Sequence, residues 1–355
     1  MSPYPVRAGI LGCGMVATEY AETLAASSSV DLTACADLDH EQARRLADRY
    51  GIAAVPVEDL LTPETIDLAL ILTPPGTHAE LADQAITVRL RAVWVEKPFT
   101  TDPQEATALT ARAEHAGVLL GVAPDTLLGP ALQTAAAALR DGLIGDIRSA
   151  TATLLSTGPE RWHPAPQPFY ADHAGPLGDM GPYYLTALDY LLGPLRVRAA
   201  TARTCGDRRI RSGPRAGEGF TAHAPTYVAA LLETDDGTPV TLTASFDAAA
   251  THTPHLEIHG TEGTLILPDP NFHNGQVLHR PYGARTAEVI PHPATASGRG
   301  LGALDLAGAL GDGRAPQCSA QRAERTVYLT AAILRAATTP PLPVQSPPHS
   351  IAPAS

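Results

Sequence analysis

The residue best suited to chemistry is the only lysine of the chain, Lys97, in the sequence Glu96-Lys97-Pro98 directly after a short apolar run. The 25 basic residues of the chain are this lysine and 24 arginines. A guanidinium stays protonated at physiological pH, whereas the pKa of an ammonium can be lowered until the group exchanges a proton. Lys97 is therefore a candidate for proton transfer or for a compact contact in a tight site. The alternative is one lysine surviving by chance in an arginine-rich composition.

A glycine-rich loop between an apolar run and a helical pattern is the second candidate, with the sequence Gly12-Cys13-Gly14-Met15-Val16-Ala17. The glycines permit a tight turn and let the backbone approach a pyrophosphate, whose charge the first amides of the following helix can bind. We therefore predict that Gly12, Gly14, Met15 and Val16 bind a dinucleotide. The alternative is an ordinary glycine turn.

An acidic residue, Asp37, ends the second apolar run. In a dinucleotide site its carboxylate would accept hydrogen bonds from the adenosine ribose hydroxyls and would repel the 2′-phosphate of NADP. Leu38 follows, at a place where an arginine could have bound that phosphate. These residues predict NAD as the cofactor, with NADP less favoured. The alternative for Asp37 is a solvated aspartate.

Thr73-Pro74 follows a further apolar run, and His78 comes four residues after the proline. The pair lies at the carboxyl edge of the predicted sheet, where ligands bind in folds of this kind. We predict that Thr73, Pro74 and His78 contact the cofactor. The alternative is a plain strand-to-helix loop in which Thr77 caps the helix.

The elements that must position these residues alternate in the first part of the chain. Predicted strands cover Val6–Leu11, Val30–Ala36, Leu68–Leu72, Ala92–Val95 and Val118–Val122. Predicted helices between them cover Glu19–Ser28, Asp39–Tyr50, Thr77–Val88 and Pro103–Ala116, with Asp39 as an N-cap and Gly51 and Gly117 as stops. This alternation is typical of a parallel sheet with helices on both faces. It predicts a dinucleotide-binding Rossmann domain over residues 1–123.

The pattern changes after residue 123. Strands are predicted at Asp146–Ser156, Arg196–Arg203, Tyr227–Glu233, Val240–Phe246, His255–Gly260 and Thr264–Leu267. Helices are predicted at Leu127–Leu139, Met180–Leu192 and 320–337. This predicts an α+β domain with a mostly antiparallel open sheet over residues 124–337, whose last helix could return to the first domain. Residues 338–355 are rich in proline and serine, and we predict a disordered tail.

Composition excludes several classes of protein. The 355 residues carry a net charge of −12, so no basic surface for nucleic acid is expected, and no apolar run is long enough to span a bilayer. Four scattered cysteines indicate free thiols in a reducing compartment, and we predict a cytoplasmic protein. The closest histidines, His252, His255 and His259, have the spacing of no common metal motif, so no metal site is predicted.

Four motifs occur in order: the GxGxxA loop, Thr73-Pro74, Glu96-Lys97-Pro98 and the segment that begins with Gly178-Asp179. Together they resemble the Gfo/Idh/MocA family, named after glucose–fructose oxidoreductase and inositol dehydrogenase. The resemblance extends to about residue 335 and implies NAD-dependent hydride transfer on a sugar, cyclitol or related polyol. It also implies that Lys97 contacts the nicotinamide and the reacting hydroxyl, that Glu96 belongs to the cofactor site, and that the protein forms a homodimer or homotetramer.

The chain departs from the family pattern at Tyr183, where relatives commonly carry histidine one helical turn after the aspartate that corresponds to Asp179. A tyrosine hydroxyl beside Lys97 could exchange the substrate proton, and we expect the lysine charge to lower its pKa. The alternative is a core aromatic. Trp162 and His163 precede this helix, and relatives place the same loop near the substrate. His163 is an alternative acid or an ordinary surface residue.

The catalytic residues predicted in this way are Lys97, Tyr183 and Asp179, and the predicted substrate contacts add Trp162 and His163. A different chemistry could use the same site, namely NAD-dependent glycoside cleavage through transient oxidation, elimination and reduction. A non-catalytic dinucleotide-binding protein is the third hypothesis. The retention of one lysine in Glu96-Lys97-Pro98 argues against it, because a protein that only binds has no need of a titratable amine.

Overall fold

The computed structural model describes residues 5–291 and 298–338. Its first sheet consists of six strands, which are β1 (Val6–Leu11), β2 (Val30–Ala36), β3 (Ala53–Ala54), β4 (Leu68–Ile71), β5 (Ala92–Val95) and β6 (Leu119–Val122). All are parallel, in the order β3-β2-β1-β4-β5-β6. The strand order reverses between β1 and β4, and ligands bind beyond the carboxyl ends of the strands at such a point. The predicted Rossmann sheet is confirmed.

The first sheet is connected by five helices, which are α1 (Met15–Ala25), α2 (His40–Tyr50), α3 (Val57–Leu60), α4 (His78–Thr87) and α5 (Pro103–Ala116). The Asp39 carboxylate accepts a hydrogen bond from the Glu41 amide, as predicted for an N-cap. Gly51 and Gly117 end their helices in the left-handed conformation, as predicted. These boundaries depend on local side-chain and backbone chemistry, which the sequence contains.

Two predictions about these helices are wrong. The first helix begins at Met15 instead of Glu19, because Gly14 is extended and the chain turns into the helix directly after it. Thr77 does not cap α4 with its side chain: its hydroxyl lies 2.9 Å from the carbonyl oxygen of Pro74 and 2.7 Å from the hydroxyl of Thr73. The threonine therefore stabilises the loop after β4.

The second sheet contains β7 (Ile147–Leu155), β8 (Leu195–Arg203), β11 (Tyr227–Thr234), β12 (Pro239–Ser245), β13 (Leu256–Gly260), β14 (Gly263–Leu267), β15 (Leu278–Pro281) and β16 (Glu288–Val289). A separate two-stranded ribbon is formed by β9 (Asp207–Arg209) and β10 (Gly219–Thr221). The sheet order is β16-β15-β14-β13-β7-β12-β11-β8, and every pairing except that of β7 with β12 is antiparallel. The predicted mostly antiparallel sheet is confirmed.

One face of this sheet is buried under α6 (Pro130–Arg140) and α7 (Gly181–Leu192). The predicted helix Leu127–Leu139 begins later than expected, because extended Gly129 separates α6 from a short 3-10 turn at Asp125–Leu128. The opposite face is open: along β11 the residues alternate between buried and more exposed, and Leu231 is 42% exposed. The second sheet therefore has an uncovered side.

Two further helices follow the second sheet in the described part of the chain. The sequence analysis missed α8 (Leu301–Asp312), whose glycines obscure its helical pattern but allow it to pack against β5 and β6. An alanine at Gly302 would overlap the Trp94 ring, because its Cβ would lie 2.1 Å from a ring carbon. The last helix, α9 (Ala320–Thr338), contacts α5, α7 and β8. The predicted tail lies, apart from Thr338, outside the described residues. Within the described part of the chain, every helix is too short or too polar to cross a bilayer.

Candidate active site

Lys97 stands just beyond β5, at the carboxyl edge of the first sheet, and is followed by a cis peptide bond to Pro98. Its Nζ donates to a carboxylate oxygen of Asp179 at 2.8 Å and to the Asp179 carbonyl oxygen at 2.9 Å. Asp179 lies in a π-helical turn, Pro176–Met180, that leads into α7. The predicted helix start at Met180 is thus moved to Gly181, and the turn brings the Asp179 carbonyl to the lysine. These contacts join the two domains at one ammonium.

The pKa of Lys97 is shifted upward, in the direction opposite to the expectation. Burial favours the neutral amine, but the Asp179 carboxylate, helped by Tyr183 and Glu96, outweighs burial and raises the pKa of Lys97 above its ordinary value. The expectation of a lowered pKa, at which the ammonium would exchange a proton, is therefore wrong for this arrangement. This arrangement favours the ammonium over the neutral amine, and a salt bridge to the mostly buried Asp179 carboxylate holds it in place.

Tyr183 is 3% exposed and lies in the first turn of α7. The Lys97 Nζ is 5.4 Å from the centroid of its ring, so the predicted convergence of Lys97, Asp179 and Tyr183 is present in the structure. Burial raises the pKa of Tyr183, and the charge of Lys97 opposes this only in part. The net direction is upward, contrary to the expected lowering. The raised pKa favours the neutral phenol over the phenolate.

The Glu96 side chain is buried in the core beneath the lysine. One carboxylate oxygen accepts from the Tyr20 hydroxyl at 2.8 Å, and the other accepts from the Lys97 amide at 2.8 Å. Trp94 in turn donates its indole N–H to the Tyr20 hydroxyl at 3.0 Å. Glu96 therefore fixes the backbone at Lys97 through interactions with the core of the first domain.

The glycine loop has the geometry of a phosphate cradle. Gly12 has φ +89°, and a Cβ there would lie 2.8 Å from backbone atoms of Leu72. The space that a Cβ would enter at Gly14 is open, and Met15 is 78% exposed. No side chain caps the start of α1, so its first amides can bind an anion. The loop fits the pyrophosphate of a dinucleotide.

Asp37 supports this loop directly. One carboxylate oxygen accepts from the Cys13 amide at 2.7 Å, and the other accepts from the Asp39 amide at 2.8 Å. Each oxygen retains a second lone pair for a ribose hydroxyl. The aspartate therefore sits at the end of β2 as predicted and is rigidly oriented.

His78 is fully buried and lies between the loops that follow β4 and β5. Its ring nitrogens are 2.7 Å from the carbonyl oxygen of Pro98 and 2.8 Å from that of Thr73. The imidazole thus connects the Thr73-Pro74 loop to the Lys97-Pro98 bond. This placement supports an indirect role for His78, in which it holds the two loops.

Trp162 and His163 are not among the residues around the lysine. Their rings pack with that of Phe169, at centroid distances between 5.0 and 6.0 Å, and Trp162 is 60% exposed. The cavity beside Lys97, of about 100 Å³, is instead lined by Asp172 and His173 from the same segment. The sequence analysis missed these two residues, which no motif distinguishes.

A third missed residue is Arg299, between two glycines with positive φ. Its guanidinium carbon is 5.6 Å from the centroid of the Tyr183 ring, on a loop that precedes α8. Arg215 is half-exposed and pairs with Glu218. Nδ1 of His255 lies 2.7 Å from the Tyr184 hydroxyl. In the described part of the chain, no group of three or more histidine, cysteine, aspartate or glutamate side chains could hold a metal ion.

Comparison with known proteins agrees with this geometry. The NAD-binding Rossmann model of the Gfo/Idh/MocA oxidoreductase family matches residues 6–123, and a C-terminal domain model of the same family matches residues 132–266. A dTDP-3,4-didehydro-2,6-dideoxy-alpha-D-glucose 3-reductase from Actinomadura kijaniata is 32% identical over 272 residues, 74% of each chain. An inositol 2-dehydrogenase from Rhizobium meliloti is 27% identical over 265 residues, 73% of this chain and 74% of the relative.

Solved structures share the fold. An NAD binding oxidoreductase from Klebsiella pneumoniae superposes with a TM-score of 0.80 at 23% identity, covering 94% of this chain and 97% of the other. A 3-ketoreductase from Actinomadura kijaniata, in complex with TDP-benzene and NADP, has a TM-score of 0.73 at 25% identity, covering 93% and 97%. With both domains matched by family models and a 32% identical relative over 74% of the chain, this protein belongs to the Gfo/Idh/MocA oxidoreductase family.

Proposed function

We propose that this protein transfers a hydride between a nicotinamide dinucleotide and a secondary alcohol or ketone of a sugar or cyclitol. The observation that carries the proposal is the convergence of Lys97, Asp179 and Tyr183 at the carboxyl edge of the dinucleotide sheet. The names of the relatives, a keto-sugar reductase and an inositol dehydrogenase, support this substrate class.

The nicotinamide, when bound, supplies or accepts the hydride. Tyr183 exchanges the proton: in ketone reduction its O–H bond breaks, the proton goes to the substrate oxygen, and the electron pair remains on the phenolate. Lys97 stays charged throughout and stabilises negative charge on the substrate oxygen and the phenolate. Asp179 holds that ammonium in place by two hydrogen bonds.

The residues proposed to hold the dinucleotide are Gly12, Gly14, Met15 and Val16 at the pyrophosphate and Asp37 at the adenosine ribose. Thr73 and Pro74 form the loop beside the nicotinamide end, supported by His78, and Glu96 holds the backbone at Lys97. We propose NAD over NADP, because the Asp37 carboxylate would repel a 2′-phosphate. Solved relatives include complexes with NADP and with NAD. Titration of both cofactors decides this point, and tighter binding of NADP would overturn the preference.

The remaining assignments follow the same division. We propose that residues 1–123 bind the dinucleotide and residues 124–337 the substrate, with Trp162 and His163 at the outer wall of the substrate site.

We also propose a dimer or tetramer built on the open face of the second sheet, which exposes Leu231 and needs cover. A monomer in light scattering at micromolar concentration would contradict it. The four unpaired cysteines support a reducing, cytoplasmic location.

The proposed activity is tested by incubating the protein with either cofactor and a panel of sugars, inositols, their keto forms and nucleotide-linked keto sugars. We expect a change in NADH or NADPH absorbance with at least one member of the panel. Tyr183→Phe serves as the matched control, because it removes one hydroxyl and keeps the ring. An absorbance change at the wild-type rate in this variant would show that the chemistry does not use the proposed site.

A further inference from the structure

A second cation borders the ring of Tyr183. The Lys97 Nζ lies 5.4 Å from the ring centroid, and the Arg299 guanidinium carbon lies 5.6 Å from it. The Arg299 side chain is 20% exposed, so solvent screens its charge only in part. The ring that carries the hydroxyl assigned to proton exchange therefore lies within 6 Å of two positively charged groups from different parts of the chain.

The loop that carries Arg299 is fixed from below by Asp125. This carboxylate is fully buried, and one of its oxygens accepts from the amides of Gly300 at 2.7 Å and Gly302 at 3.1 Å. The other oxygen lies 3.2 Å from Nε2 of His273. One carboxylate thus holds the amide of Gly300, next to Arg299, and the amide of Gly302 in the first turn of α8. These bonds fix the backbone direction at Arg299.

The two cations differ in how far other charges compensate them. Lys97 forms a close salt bridge with Asp179, and both side chains are less than one-fifth exposed. Arg299 has its nearest carboxylate in Glu19, at 3.5 Å, and that side chain is 57% exposed. Its guanidinium also donates to the amide oxygen of Asn271, at 3.4 Å. The charge of Arg299 is consequently less compensated than that of Lys97, so more of its electrostatic effect reaches Tyr183.

The other charged and titratable groups around Tyr183 act in known directions. Burial and the Glu96 carboxylate raise the pKa of Tyr183, whereas the charges of Lys97 and Arg299 lower it. Tyr20 and Asp125 act on Arg299 itself and favour its charged form. Arg299 is therefore one of two groups that favour the phenolate against burial.

We propose that Arg299 is a positioning residue that sets the ionisation of Tyr183 and stabilises the phenolate formed when the hydroxyl gives its proton to the substrate. The proposal deepens the proposed function and rests on it for the direction of proton transfer. In alcohol oxidation the steps reverse: the phenolate takes the hydroxyl proton of the substrate, and its electron pair forms the new O–H bond. Arg299 then makes the base available at lower pH.

The test compares Arg299→Gln with Arg299→Lys, which keeps the charge. Removing an opposite charge at this range raises the pKa of a tyrosine by about 1 or more. The pH at which alcohol oxidation reaches half its maximum should rise by that amount in Arg299→Gln, with an approximately tenfold lower rate below it. Arg299→Lys should restore most of the rate. Glu19→Gln is the control, because it touches Arg299 and leaves the charge beside Tyr183.

A second readout needs no substrate. In protein labelled with fluorotyrosine, the resonance of residue 183 is assigned by its loss in Tyr183→Phe, and its titration is followed by fluorine NMR. We expect the midpoint to move upward in Arg299→Gln and to remain near the wild-type value in Arg299→Lys. An unchanged midpoint in Arg299→Gln overturns the inference. If the midpoint moves but no sugar or cyclitol reacts, the proposed function fails while the role of Arg299 on Tyr183 stands.

Discussion

Asp179→Asn should lower the pKa of Lys97, because it removes the carboxylate that favours the ammonium. The salt bridge spans 2.8 Å, and two unit charges at that distance interact by about 6 kcal/mol in an effective dielectric of about 20. Opposite charges this close change a measured pKa by about 1 to 3. Because burial already favours the neutral amine, removing the carboxylate should lower the pKa of Lys97 by about 3, to near or below its ordinary value.

The composition of the chain makes this measurement direct. Protein grown with isotope-labelled lysine gives one set of side-chain signals, because the chain has one lysine. Their chemical shifts followed against pH report the pKa of Lys97 in the wild type and in Asp179→Asn. The activity profile should agree: the variant loses turnover as the pH rises through the lowered pKa, while the wild type does not. Asp172→Asn is the matched control, because Asp172 lines the cavity beside Lys97 and is exposed.

The reasoning would be refuted by one clear result. If Lys97 titrates at the same pH in the wild type and in Asp179→Asn, the carboxylate does not maintain its charge. A fall in the midpoint in Asp172→Asn as large as that in Asp179→Asn would show a general field effect instead of a specific salt bridge.

Three further predictions concern the loop, the proton donor and the buried carboxylate. Gly12→Ala should weaken dinucleotide binding at least tenfold, because its Cβ would meet backbone atoms at 2.8 Å and φ is +89°; unchanged affinity in a fluorescence titration would contradict this. Tyr183→Phe should lower kcat by about 10² to 10⁴ without changing cofactor affinity; wild-type kcat would make the tyrosine a packing residue. Asp125→Ala should cost about 2 to 4 kcal/mol in urea unfolding, because it leaves the buried amides of Gly300 and Gly302 unpaired; a smaller loss than about 1 kcal/mol would mean that water replaces the carboxylate.

The features that could be predicted from sequence are those whose causes are local. The glycine loop, the Asp39 cap and the left-handed Gly51 depend on neighbouring residues, so their sequence pattern was sufficient. Apolar runs and the alternation of apolar and polar residues likewise predicted most strands of both sheets to within one or two residues, but not the short strands β3, β15 and β16. Lys97 was found in the same way, by its rarity and by the motif around it.

The features that were missed depend on residues far apart in the chain. The pKa of Lys97 is set by a carboxylate 82 positions later, so its direction could not be read from the motif. Arg299 is held by Asp125 through amides 175 and 177 positions away, and the glycines around it carry no helical or strand pattern. Only the folded chain brings these groups to Tyr183.

The measurement that tests the central claim most directly is isotope transfer. The reacting keto substrate is incubated with NADH or NADPH deuterated at the transferable position of the nicotinamide C4, and the product is analysed by mass spectrometry. We predict one deuterium bound to the carbinol carbon of the product, formed in step with oxidised cofactor, and much slower labelling by Tyr183→Phe. Product that lacks carbon-bound deuterium, or turnover that leaves the cofactor unconsumed, would contradict direct hydride transfer at this site.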